Sequence, residues 1–278
     1  MTNRIAIVTG ASSGIGAATA MALARNGVWV LLVGRRAGEL EKVRALIAGS
    51  GGGAACLAAD ITCEADRAGV VTAALAKSGR IDVLVNCAGV GQRGAVEMVP
   101  MERVKECFDV NVFAPAALIQ YVAAIMRTQQ SGHIVNISSM SGRIARPFSA
   151  VYDATKHALE ALSDGLREEL APFGVHVTVI QPGYTTTNFS AAADARDAEN
   201  GVYGVHARAL RSRDWRRRFS ATAEQVAEVV ARAIASESPR TRYAVPRVVA
   251  IVLLLRRLLS DRIFYRLTLG PIPLIAKQ

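Results

Sequence analysis

The 278-residue chain is 51% apolar, 20% charged and 5% aromatic, a composition that excludes a disordered or low-complexity protein. Its longest unbroken apolar run, residues 248–255, is eight residues long, where a membrane-crossing helix needs about 20. The net charge of +10 is unevenly placed: residues 1–199 hold 18 basic and 18 acidic residues, and residues 200–278 hold the other 15 and 5.

In chain order, Met1-Thr2-Asn3-Arg4 leads straight into an apolar run at 5–9, with no secretory pattern. Further β-rich runs lie at 28–33, 54–59, 83–86, 133–138 and 175–181. Alanine-rich helical patterns fall between them, near 15–26, 37–48, 64–78, 101–130 and 150–172. Near-continuous apolar strands separated by helices describe a parallel sheet covered on both faces. We therefore read residues 1–245 as one Rossmann-type, doubly wound α/β domain of about seven strands. The regularity lapses after Pro182. Residues 184–222 have little periodicity and read as a lid over a substrate. A helix near 222–235, a last strand Arg242-Tyr243-Ala244-Val245 and an apolar, arginine-rich extension, 246–278, complete the chain.

Cys56, Cys63, Cys87 and Cys107 form no Cys-x-x-Cys pair and do not cluster with the four histidines, so no metal site is expected. They fall inside apolar or helical patterns and read as buried, reduced thiols of a cytoplasmic protein. Trp215 beside Arg213, Arg216, Arg217 and Arg218 is one aromatic in a basic run, too little for nucleic-acid recognition.

Three groups of residues carry chemistry. Thr9-Gly10-Ala11-Ser12-Ser13-Gly14-Ile15-Gly16 links the first strand to the first helix, where glycines let backbone amides and a helix N-terminus approach a pyrophosphate. The second strand ends in Gly34-Arg35-Arg36. The absence of an acid there, and two guanidiniums suited to a 2′-phosphate, favour NADP(H) over NAD(H). Tyr152 and Lys156 share a helix face, and an ammonium near a phenol would lower its pKa; Ser139, 13 residues before Tyr152, is expected just past a strand end.

Together these pieces resemble the short-chain dehydrogenase/reductase family over about residues 4–190. Thr9 to Gly16 is similar to its TGxxxGxG turn, and Asn86-Cys87-Ala88-Gly89 to its NNAG segment, with Cys87 departing at the second place. Asn111 matches its helix asparagine, Ser139, Tyr152 and Lys156 its other catalytic residues, and Pro182-Gly183-Tyr184-Thr185-Thr186-Thr187 its PG segment. The resemblance implies that Tyr152 is the general acid or base and that Lys156 holds the nicotinamide ribose. Ser139 would orient the substrate carbonyl, and Asn111 would hold a water joining Lys156 to solvent. It also implies cofactor contacts from Gly10, Ser12, Ser13, Gly14, Ile15, Gly16, Asp60, Ile61, Asn86, Ala88, Gly89, Pro182, Gly183, Thr185 and Thr187. Asn86 also reads as a tie between neighbouring strands, and His157 as a packing or surface residue.

The expected activity is NADP(H)-dependent interconversion of a carbonyl and an alcohol. The substrate would be a hydrophobic small molecule such as a steroid, retinoid or lipid ketone, and the enzyme a homodimer or homotetramer. A 3-oxoacyl-carrier-protein reductase and a non-catalytic membrane- or partner-binding protein on the same scaffold remain the alternatives. Residues 246–278 read either as a cover for the pocket or a subunit interface, or as a peripheral membrane contact. Arg256 and Arg257 fall away from the face shared by Arg262 and Arg266, so the sequence shows no clean interfacial helix.

Overall fold

The computed structural model describes residues 4–185, 202–204 and 219–269. Thr187, most of the expected lid, the Trp215 arginine run and 270–278 lie outside the described residues. Seven parallel strands form the central sheet in the order β3-β2-β1-β4-β5-β6-β9: β1 (Ile5–Thr9), β2 (Trp29–Gly34), β3 (Ala54–Ala58), β4 (Val83–Asn86), β5 (Gly132–Ile137), β6 (Val175–Pro182) and β9 (Arg242–Val245). Two short strands, β7 (Tyr184–Thr185) and β8 (Ser220–Ala221), pair apart from it. The doubly wound sheet expected from the sequence is the one observed.

Its strands alternate their side chains between two cores. On β1, Ala6 and Val8 join one apolar cluster with α1 (Gly14–Arg25), α2 (Ala37–Gly49) and α7 (Ala223–Ala235). Ile5 and Ile7 join the other, with α3 (Glu64–Ser78) and α5 (Ala114–Gln129). Strands buried on both faces need apolar residues at both parities. Each fully buried Ile or Leu contributes roughly 1.5–3 kcal/mol. Strand order reverses at β1, so β1 is flanked by β2 and β4: Ala6 registers with Val30 on one side and Val83 on the other. That switch point opens the crevice at the strands' carboxyl ends where ligands of such sheets bind.

The helix expected over 101–130 is continuous but not regular. α4 (Met101–Phe108) passes through a single π-helical turn, Asp109–Phe113, into α5. Extra-residue turns of this kind re-aim side chains, and Asn111 sits in this one. Residues Met101–Gln129 are also the one helical run among the described residues long and apolar enough to cross a membrane. A count of unbroken apolar residues misses it, because that count stops at each Lys, Glu or Gln. Leu118, Ile119, Val122 and Met126 of this run are packed on the sheet.

The thiols depart from the expected burial at three of the four places. All four are free, but only Cys107 is buried; Cys63, at the N-terminus of α3, is exposed. His133 on β5 is 2% exposed and shares a hydrogen bond of 2.9 Å with Thr178 Oγ1. Burial, aided by His176, lowers its pKa to about 3. An unfolded histidine titrates near ~6.5, so between these values the unfolded chain binds a proton that the folded chain does not. Stability is therefore expected to fall as pH drops from 6.5 towards 3, by about 1.4 kcal/mol per pH unit from this residue. Denaturant titrations from pH 7 to 4 should show that His133→Leu removes one proton's worth of that slope.

Candidate active site

The first turn of α1 opens on the crevice. Gly10 has φ +67° and Gly14 φ +56°, a backbone region that side chains other than glycine's enter at a cost. A Cβ on Gly16 would lie 2.3 Å from the Gly10 carbonyl oxygen, and one on Gly10 would lie 2.8 Å from Ala88 Cα. The turn is thus fitted against both β1 and the segment after β4. Thr9 reinforces that fit from behind: its Oγ1 accepts hydrogen bonds from the Cys87 and Ala88 amides, both at 3.1 Å. Ser13 occupies the N-cap of α1 without capping it. Its hydroxyl instead accepts from Arg36 Nη2 at 2.8 Å, as Ser12 Oγ does at 3.0 Å. The guanidinium is therefore carried over the serines at the end of β2.

A cavity of about 610 Å³ runs along the carboxyl ends of the strands. Its walls include Gly10, Ser12, Ser13, Gly14, Ile15, Gly16, Arg35, Arg36, Asp60, Ile61, Ala88 and Gly89 at one end. Ser139, Tyr152, Lys156, Pro182, Gly183 and Thr185 stand at the other. Asp60 Oδ1 accepts from the Thr62 amide at 3.0 Å, which with Arg35 holds its carboxyl below the usual range despite burial. Two expected residues stand behind the wall instead of in it. Asn86 is buried and donates to Asn136 Oδ1 at 2.9 Å, tying β4 to β5. That geometry matches the strand-tie reading. Asn111 is also buried: its Oδ1 accepts from the Val90 amide, its Nδ2 donates to the Val90 carbonyl, both at 2.9 Å, and Nδ2 reaches Thr155 Oγ1 at 3.0 Å. It clamps the loop after β4 onto α6 (Ala150–Leu170).

On the first turns of α6, Tyr152 and Lys156 stack as their spacing requires, with Nζ 5.8 Å from the phenol ring centroid. Lys156 Nζ donates to the Ile137 carbonyl at 2.9 Å. Burial lowers its pKa to about 8, against the pull of Cys87, Cys107 and Glu160. Burial pushes Tyr152 up to about 12; the Arg146 charge and a hydrogen bond with Ser139 draw it down. The sequence led us to expect Lys156 as the group that acidifies the phenol. In this geometry Arg146 is a further cation that draws the phenol down. His157, adjacent in sequence, is exposed and bonded to the Asp153 carbonyl at 2.8 Å, outside the site as expected.

Arg146 and Asp153 were not singled out by the sequence. Asp153 is fully buried, and its carboxylate takes the Arg146 Nη2 at 2.7 Å and the Arg146 amide at 2.7 Å. Arg146 also donates to the Tyr184 hydroxyl at 3.0 Å and the Ser141 hydroxyl at 2.6 Å. Burial opposes its charge, but Asp153 and Tyr184 outweigh burial and its pKa is raised. A buried ion pair whose guanidinium makes further hydrogen bonds to neighbouring hydroxyls holds one geometry. This one fixes the loop between β5 and α6 beside the phenol.

The close approach of Gly16 predicts a specific failure. Gly16→Ala must move the Gly10 backbone, whereas a Cβ at Gly38 meets nothing within 4 Å. Calorimetry and nucleotide titration should show Gly16→Ala losing about 2 kcal/mol or more of stability together with nucleotide binding. Gly38→Ala, on α2, should be neutral to slightly stabilising.

Comparison with known proteins gives a consistent picture. The family model for short chain dehydrogenase matches residues 4–198. An uncharacterized oxidoreductase of Methylorubrum extorquens is 41% identical over 198 residues, covering 70% of this chain and 79% of the relative. Among solved structures, a short-chain dehydrogenase from Streptomyces avermitilis superposes with a TM-score of 0.80 at 32% identity, covering 96% of each chain. A metagenomic short-chain oxidoreductase in complex with NADP superposes at 0.71 with 31% identity, covering 87% of this chain and 96% of its own. A nucleotide-shaped crevice, a Tyr152–Lys156 pair beside Ser139 and a family match over more than half the residues lead to one conclusion: the chain belongs to the short-chain dehydrogenase/reductase family.

Proposed function

We propose that the protein is an NADP(H)-dependent oxidoreductase that reduces a ketone or aldehyde to an alcohol, or runs the reverse. The observation that carries this reading is the Tyr152 phenol, hydrogen-bonded with Ser139 at the inner end of a glycine-walled crevice whose outer end carries Arg35 and Arg36. The crevice suits a dinucleotide, because Gly10 and Gly16 leave backbone where any side chain would intrude. The amide-lined start of α1 suits a pyrophosphate. Arg36, already aimed over Ser12 and Ser13, suits a 2′-phosphate. The NADP of the metagenomic neighbour agrees with that preference. Bound there, the nicotinamide supplies or accepts the hydride.

The chain's own residues supply the rest. Ser139 Oγ, positioned by the Ser141 amide at 3.1 Å, donates to the substrate oxygen and orients its carbonyl. Tyr152 delivers the proton to that oxygen in reduction and withdraws it in oxidation. Arg146 stabilises the phenolate so formed. Lys156, anchored on Ile137, would hold the ribose hydroxyls of the bound nucleotide. Met140 and Tyr184, beside the catalytic residues, give the substrate end an apolar wall suited to a hydrophobic ketone. Exposed Phe113, at the end of the π-helical turn, and Tyr121 on α5 support an assembly of two or four copies.

Two measurements test the reading. Tyr152→Phe should lower kcat by about 100- to 10,000-fold while leaving nucleotide affinity in place; retention of most of the rate would remove Tyr152 from the mechanism. Arg35→Ala with Arg36→Ala should raise KM for NADPH about 10- to 100-fold and leave KM for NADH nearly unchanged. Equal effects on both would overturn the phosphate reading.

A further inference from the structure

Beyond β9 the chain forms two helices, α8 (Arg247–Leu258) and α9 (Asp261–Leu269). Val249 and Phe264 are fully buried against Met140 and Ile144, with Val252 and Leu253 partly buried in the same cluster, and α8 also turns Arg256 inward. Its guanidinium donates to Asp261 at 2.6 Å and lies 5.4 Å from the ring centroids of both Phe264 and Tyr265.

With an arginine turned in, leucines are turned out. At 100° per residue, Ile251, Leu254, Leu255 and Leu258 share the opposite stripe of α8. They are 59%, 55%, 44% and 69% exposed. α9 extends the stripe with Ile263 at 50% and Leu267 at 71%. Apolar side chains on a surface are ordinarily scattered singly; six together mark an interaction face. Exposed Arg247, Arg257, Arg262 and Arg266 stand around them, and none has an acidic partner among the described residues. The sole acid of the two helices, Asp261, is held by Arg256.

We propose that the outer face of α8 and α9 docks on an anionic lipid surface, its six apolar side chains entering the acyl boundary while the four arginines meet headgroup phosphates. Charge selects this occupant. A second copy packed isologously on the same patch would bring four unpaired arginines against four others. A layer of phosphates instead neutralises them, and the guanidinium matches phosphate geometry. Docking would also orient the enzyme. The inner face of the helix pair rests on Met140 and Ile144, next in the chain to Ser139, so the substrate end of the crevice lies on the lipid side.

Vesicle sedimentation of the full chain tests this. One vesicle preparation is phosphatidylcholine alone and the other is phosphatidylcholine mixed with phosphatidylglycerol. The protein should sediment with the phosphatidylglycerol vesicles and leave them at high salt. Leu254→Glu with Leu258→Glu should reduce the bound fraction about tenfold or more. Arg247→Gln, Arg257→Gln, Arg262→Gln and Arg266→Gln together should abolish the preference for phosphatidylglycerol. All six positions are exposed, so both variants should keep the wild-type circular dichroism spectrum and Tm. Failure of the wild type to sediment would overturn the proposal. Undiminished binding by both variants would do so too, because it places the contact in another basic segment. So would a lipid-indifferent dimer that the Leu254→Glu, Leu258→Glu variant splits.

Discussion

The first turn of α1 lies against the end of β1 with no room for a side chain between them, and the rest of the crevice is built on that contact. A Cβ at Gly16 would stand 2.3 Å from the Gly10 oxygen. The helix start is thereby pressed to the sheet's switch point, with its unpaired amides directed along the strand ends. Thr9 then carries the constraint sideways. By accepting two amides from the segment after β4, it fixes Cys87 and Ala88 against the turn. Asn111 fixes Val90, two residues further on, to α6, and α6 carries Tyr152 and Lys156. Nucleotide turn and catalytic helix are therefore joined by a short chain of side-chain hydrogen bonds, so a displacement at one end is felt at the other.

Electrostatics within the pocket place a second cation, Arg146, beside the Tyr152–Lys156 pair. Burial lowers Lys156 to about 8 and raises Tyr152 to about 12. Both shifts favour the neutral forms, as a low-dielectric site must. A phenolate there needs a compensating charge, and a guanidinium keeps its charge in a buried site. Arg146 remains charged because Asp153 shares its pocket. The acid next to Tyr152 thus acts against the phenolate directly but sustains the cation that favours it.

Periodicity and spacing revealed the strands, the helices, the glycine turn and the catalytic helix face, because each is a local property of a few consecutive residues. What they could not reveal depends on which side chains tertiary packing turns inward. Arg143 and Arg146 lie three apart in one loop; the fold buries Arg146 and leaves Arg143 at the surface beside Glu160 and Asp164, and no local pattern distinguishes them. Asn86 belongs to a matched segment, yet its amide is spent on Asn136, fifty residues later. Cys63 looked apolar in context but sits at a helix start, where the chain turns outward. Arg256 inverts the expected polarity of its helix by finding Asp261 and two rings.

The small β7–β8 pair has a consequence of its own. Tyr184 registers with Ser220 and Thr185 with Ala221, while the Gly183 amide bonds the Val245 carbonyl at 2.7 Å. The two ends of the intervening stretch are thereby clasped to each other and to the last strand of the sheet. Closing a loop whose ends are already fixed costs only slowly more entropy as it lengthens. The clasp thus works as a socket. Stretches of differing length can be closed between Thr185 and Ser220 without disturbing the sheet.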